Sequence, residues 1–96
     1  MKSAIETDQT FKLIDGTFLP KDAKEVLTAL ITSKINFHST RSFSSLVRTG
    51  VPDVESDLRI IILNETREEI LSLLKHAEAN GKKVTIQSNI EIKIEE

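Results

Sequence analysis

The chain has no cysteine, tryptophan or tyrosine, and its only aromatic residues are four phenylalanines. The missing cysteines rule out disulfides, thiolate catalysis and cysteine-ligated metals. With so few rings, any core must be aliphatic. The three glycines fall at apparent turns, caps and a loop, which leaves nothing for a glycine-rich phosphate cradle. The longest wholly apolar run, residues 60–63, is far shorter than the ~20 residues needed to span a bilayer. A formal net charge of −2 supplies no global field to draw the chain toward nucleic acid or an acidic membrane. Residues 1–10 are acidic and polar where a signal peptide would need an apolar stretch, so a soluble, bacterial-type cytoplasmic protein is expected.

What the chain does have is a strong alternation near its end. Val84, Ile86, Ile90, Ile92 and Ile94 occupy every second position, interrupted only by Ser88. Period-two alternation with β-branched residues predicts a strand with one buried and one solvated face. A hairpin turning at Gln87-Ser88-Asn89 would preserve the same apolar face. The single strand is preferred because that segment contains no glycine and the alternation continues through it.

Ninety-six residues make one domain, 1–96, with 1–9 expected to be frayed. Residues 10–14 read as a first strand with Phe11 and Leu13 on one face and Lys12 on the other. Asp15-Gly16 reads as a turn. Pro20 suits a first helical position, and Ala23, Val26, Leu27, Leu30 and Ile31 form one stripe of a helix from about 20 to 35, with no stop signal immediately after it. Gly50-Val51-Pro52 breaks the chain, and Asp53 can cap the next segment.

Residues 65–80 are helical by spacing and end at Asn80-Gly81. Residues 58–63 taken alone resemble a buried strand, which would give a βαβ unit. At ~100° per residue, however, Ile62 and Leu63 share an arc with Thr66, Ile70, Leu73, Leu74 and Ala77, so one helix of roughly 25 residues is favoured. The expected fold is α+β, a two-layer sandwich in β-α-α-β order, with two long antiparallel helices on a small sheet.

Gly16-Thr17-Phe18, the run Lys34-Ile35-Asn36-Phe37-His38 and the terminal Ser88-Asn89-Ile90-Glu91-Ile92 resemble a group of short bacterial proteins, chiefly of the Bacteroidetes type. The resemblance covers most of the chain from Phe11 onward. It implies a second long helix through 58–63 and carries no implied activity.

If the first helix continues past Ile35, Lys34, His38 and Arg41 stand at i, i+4 and i+7. No acidic residue lies between Val26 and Pro52, and Arg48 adds a further cation among Ser and Thr hydroxyls. Lys34, His38, Arg41 and Arg48 are therefore candidate ligands for a small anion such as phosphate. Basic residues near a helix C-terminus and Ser/Thr-rich connectors also have ordinary structural uses. Nucleic-acid binding is disfavoured, because three cations make few phosphate contacts. His38 and His76 lack metal-ligand spacing, so no metal or other cofactor is expected. Glu68 and Glu69 beside Arg67 fit a solvated helix face, and no catalytic set can be assembled.

The expected first strand is much shorter than the last, and the surplus edge would invite pairing with another chain. Val54, Leu58 and Ile61 lie off the main helical arc. With Ile90 and Ile92 they are candidate residues for a homodimer or higher oligomer. The leading functional expectation is a non-enzymatic oligomeric or adaptor module. The alternative is a small anion-binding regulatory protein that uses residues 34–50.

Overall fold

A computed structural model describes residues 7–95. It contains β1 (Asp8–Phe18), α1 (Pro20–Thr49), α2 (Val54–Ala79) and β2 (Val84–Lys93), the expected β-α-α-β order. The fold is α+β: the two strands make an antiparallel sheet, and the two helices form the second layer. Residues 58–63 lie within α2, so there is no βαβ unit.

The helix boundaries follow from local chemistry. Pro20 opens α1, where its missing N–H costs nothing, and the Ala23 N–H reaches the Leu19 carbonyl at 3.0 Å. The helix continues through the Ser-rich segment 39–45 because no glycine or proline interrupts it before Gly50. Gly50 takes φ +80° and donates its N–H to the Leu46 carbonyl at 2.8 Å. The other exit, after Ala79, closes through two backbone bonds, Gly81 N–H to Glu78 O at 3.1 Å and Lys82 N–H to Ala77 O at 2.9 Å. Gly81 supplies the left-handed residue with φ +64°.

The strands differ from the sequence expectation in three ways. Asp15-Gly16 is not a turn, because both residues pair in the ladder opposite Gln87 and Ile86. Asp8 and Gln9 pair with Lys93 and Ile92, so that part of the supposedly frayed segment is strand. The remainder, residues 1–6, lies outside the described residues. Finally, the ladder is irregular between Lys12 and Ile14, with Leu13 as the extra residue. The bulge resets the phase: Phe11 (opposite Ile90) shares a face with Ile14 (opposite Ser88), and not with Leu13. That face also carries Phe18, Val84 and Ile86. With β1 eleven residues long and β2 ten, no surplus of β2 remains unpaired. The sheet's two outer edges stay open, as they must in a two-stranded sheet.

The helices meet along a narrow seam. Thr28, Ile31, Ile35, His38, Ser42 and Ser45 are half-buried or buried positions of α1 that follow one line, with Pro20, Ala23, Leu27 and Thr32 covered beside it. Ser56, Ile60, Leu63, Arg67, Ile70, Leu74 and Ala77 form the matching line on α2, with Asp57, Asn64 and Leu71 half-buried beside it. Alternating three- and four-residue steps mark the seam of an antiparallel coiled coil. Val26 and Leu30, expected in the core stripe, are exposed, as are Ile62 and Leu73. Each helix has an apolar stripe wider than a single partner helix can cover.

The layers meet at one corner. Ala23 is fully buried where α1 touches both strands, and Ile14, Pro20, Leu74 and Ala77 complete the buried apolar set among the described residues. From that corner the ribbon and the helix pair diverge. The molecule measures 49 × 49 × 14 Å, and its thin dimension is that of two helices side by side.

Replacing Gly50 with alanine forces a Cβ into the left-handed region and should cost about 1 kcal/mol. Urea unfolding at unchanged m-value would measure it, and an unchanged midpoint would show that the cap is dispensable.

Candidate functional site

The expected extension of α1 brings Lys34, His38 and Arg41 onto one side of the helix. There they line a recess of about 190 Å³ together with Asp53, Glu55, Ser56 and Arg59 from the start of α2. Arg48 does not line this recess; farther along α1 it shares a second hollow with Arg41, Phe37 and Ser44. Arg59 was not among the expected residues. Its one sequence signal was a cation six residues beyond the Asp53 cap, and only the antiparallel return of α2 places it opposite Lys34.

The recess carries both signs of charge. The Asp53 side chain accepts the Ser56 backbone N–H at 3.3 Å, capping α2, and also accepts the Ser56 hydroxyl at 3.2 Å. Arg41 Nε donates to the same carboxylate at 3.2 Å. These contacts, led by the Ser56 backbone hydrogen bond, together outweigh the opposing effect of burial and hold the Asp53 carboxyl below its ordinary value of 3.8. Arg41 is thus already engaged by a carboxylate, and Glu55 stands nearby.

Ser56, His38 and Asp53 also converge, which raises the question of nucleophilic chemistry. Ser56 Oγ lies 3.4 Å from His38 Nδ1 and 3.2 Å from Asp53 Oδ2. The connectivity is wrong for an activated serine. The hydroxyl bonds directly to the carboxylate, whereas a triad places the imidazole between the two. Ser56 is also only 3% exposed, so a substrate cannot reach it. His38 packs edge-on against Phe37 with ring centroids 5.2 Å apart, and its Nε2 is buried with no hydrogen-bond partner. Beside it, Ser42 Oγ donates to Asp57 Oδ1 at 2.7 Å. This cluster fastens the loop end of the helix pair with hydrogen bonds where apolar seam residues run out.

Among the described residues, no three or more histidine, aspartate or glutamate side chains gather to hold a metal ion. The candidate assembly residues Val54, Leu58, Ile61, Ile90 and Ile92 are all exposed. Val54, Leu58 and Ile61 lie on the outer edge of α2, turned away from the seam. Ile90 and Ile92 lie on the apolar face of the sheet, toward its far end. No family model, curated protein or solved structure matches the chain.

The cluster can be probed in two ways. Ser42→Ala strips a charged hydrogen bond from Asp57 and should cost about 1–2 kcal/mol in urea unfolding. Asp53 has a lower pKa folded than unfolded, so its contribution to stability is present above pH 3.8 and is lost as the pH falls through the lowered value. An Asp53→Asn variant should therefore unfold at lower urea than the unmodified chain near neutral pH, and the gap should close in acid. A gap constant down to about pH 2 would contradict this.

Proposed function

We propose that this chain is a non-enzymatic assembly module of the bacterial cytoplasm, a homo-oligomer that acts through its apolar faces. One observation carries the reading: the chain is too open to be complete alone. Its radius of gyration is 17.7 Å, whereas a compact domain of this length would have about 12.5 Å. It exposes 7684 Å², whereas a folded monomer of 10.8 kDa exposes roughly 5,500 Å². Setting both chain ends aside still leaves an excess above about 1,000 Å². Among the described residues, no large side chain is fully buried. The chain has no cysteine, so a cytoplasmic setting would cost it no disulfide, and no described helix is long and apolar enough to cross a membrane. The resemblance to short bacterial proteins supports the bacterial setting.

The recess beside Lys34 supports a second reading, a small anion-binding regulator. Lys34, Arg41, Arg59 and His38 would supply the donors. Asp53 and Glu55 weigh against it by competing for the same cations.

Light scattering coupled to size exclusion at micromolar concentration should give at least twice the 10.8 kDa chain mass. A clean monomer with the radius of gyration of the isolated chain would end the assembly reading. For the second reading, inorganic phosphate should raise the melting temperature of the unmodified chain and not that of Arg59→Glu. Equal shifts in both would dismiss the site.

A further inference from the structure

Resting on the assembly reading, we infer that the partner is a second copy of this chain and that it occupies the angle between the sheet and the helix pair. The argument starts at the corner. Ala23 is 0% exposed, yet at ~100° per residue it lies well off the interhelical seam, so the strands and not α2 cover it. The arc of α1 that carries Ala23 continues along the helix with Leu27, Leu30 and Lys34. On α2 the arc that carries the buried Ala77 continues with Ile62, Thr66 and Leu73. On α1 the cover ends by Leu30, which is exposed; on α2 Ala77 is covered as part of the helix seam, and beyond it Leu73 is 65% exposed.

The sheet shows the same gradient. On its apolar face Ile14 is buried, and Phe18, Val84 and Ile86 are half-buried near the corner. Farther out Phe11, Ile90 and Ile92 are exposed, Ile92 by 51%. Two faces therefore diverge from one covered corner, and their residues beyond Leu27, Ala77 and Ile14 are exposed. The chain has no further segment among its described residues to fill the gap, because both connections, 50–53 and 80–83, are short.

The amount of surface identifies the occupant. With the chain ends set aside, the excess above about 1,000 Å² per chain comes to about 2,000 Å² over two chains, where the range of obligate homodimers begins. A two-fold axis lets each copy insert an arm into the other's angle, so that one self-complementary patch covers both. The exposed outer-edge residues Val54, Leu58 and Ile61 lie outside that angle and remain solvated.

The chain contains no tryptophan, so a single introduced indole reports its own surroundings. Leu73→Trp, Ile92→Trp and Leu58→Trp are prepared separately, and emission is read beside the mass from light scattering. At dimer mass, Leu73→Trp and Ile92→Trp should emit in the blue and shift red on dilution, while Leu58→Trp stays red throughout. A dimer in which Leu58→Trp is blue and the other two are red would place the interface on the outer edge and overturn this inference, leaving the assembly reading intact. Monomer mass overturns both. In that case a blue Leu73→Trp with a radius of gyration near 12.5 Å would mean that the sheet closes on its own helices.

Discussion

The narrow seam between α1 and α2 is the contact on which the rest of the molecule depends. It is apolar toward the sheet, where Ile31, Ile35, Ile60, Leu63, Ile70 and Leu74 meet, and polar toward the loop, where His38, Ser42, Ser45, Ser56 and Asp57 take over. The polar end cannot contribute much hydrophobic stabilisation, but its hydrogen bonds set the register of the two helices. That register brings Arg59 opposite Lys34 and Arg41 to Asp53. Arg67 spans the seam midway, donating to Asn64 at 2.7 Å and reaching Thr32 at 3.4 Å.

Long helices create the shortage of cover that defines the surface. At 1.5 Å per residue, α1 and α2 run about 45 and 39 Å. A two-stranded ribbon joined at one end and diverging from them can shield only the first turns. The bulge at Leu13 adds to the shortage. By keeping Phe11 in phase with Ile14, it extends the apolar face toward the far end of the ribbon, where Ile90 and Ile92 have nothing to rest on.

Much of the architecture was legible in the chain because local rules acted alone. Pro20, Gly50, Asp53 and Gly81 are boundaries whose chemistry works without tertiary help. The phase agreement of Leu63 with Ile70, Leu74 and Ala77 correctly made 58–63 helix. Asp15-Gly16 misled because a glycine also fits an extended ladder, and here cross-strand pairing with Gln87 and Ile86 outweighs turn propensity. The bulge left no mark in the alternation, since a single extra residue is visible only against the partner strand. Of the candidate anion ligands, Lys34, His38 and Arg41 line one recess because helical spacing aligns them. Arg48, two turns beyond Arg41, lies outside that recess, and Asp53 and Glu55 reach it from another element, which spacing along α1 does not reveal.

The sequence by itself determined the elements and their order: alternation made the last strand, three- and four-residue spacing made the helices, and glycine and proline ended them. These are short-range effects of sterics and backbone hydrogen bonding. Tertiary structure alone decided which part of each wide apolar stripe is buried. One helix covers only a seam, so Val26, Leu30, Ile62 and Leu73 were left outside it. The terminal strand, too, was paired along its whole length. What remains open there is its apolar face, because burial depends on what lies opposite a side chain and no residue encodes that by itself.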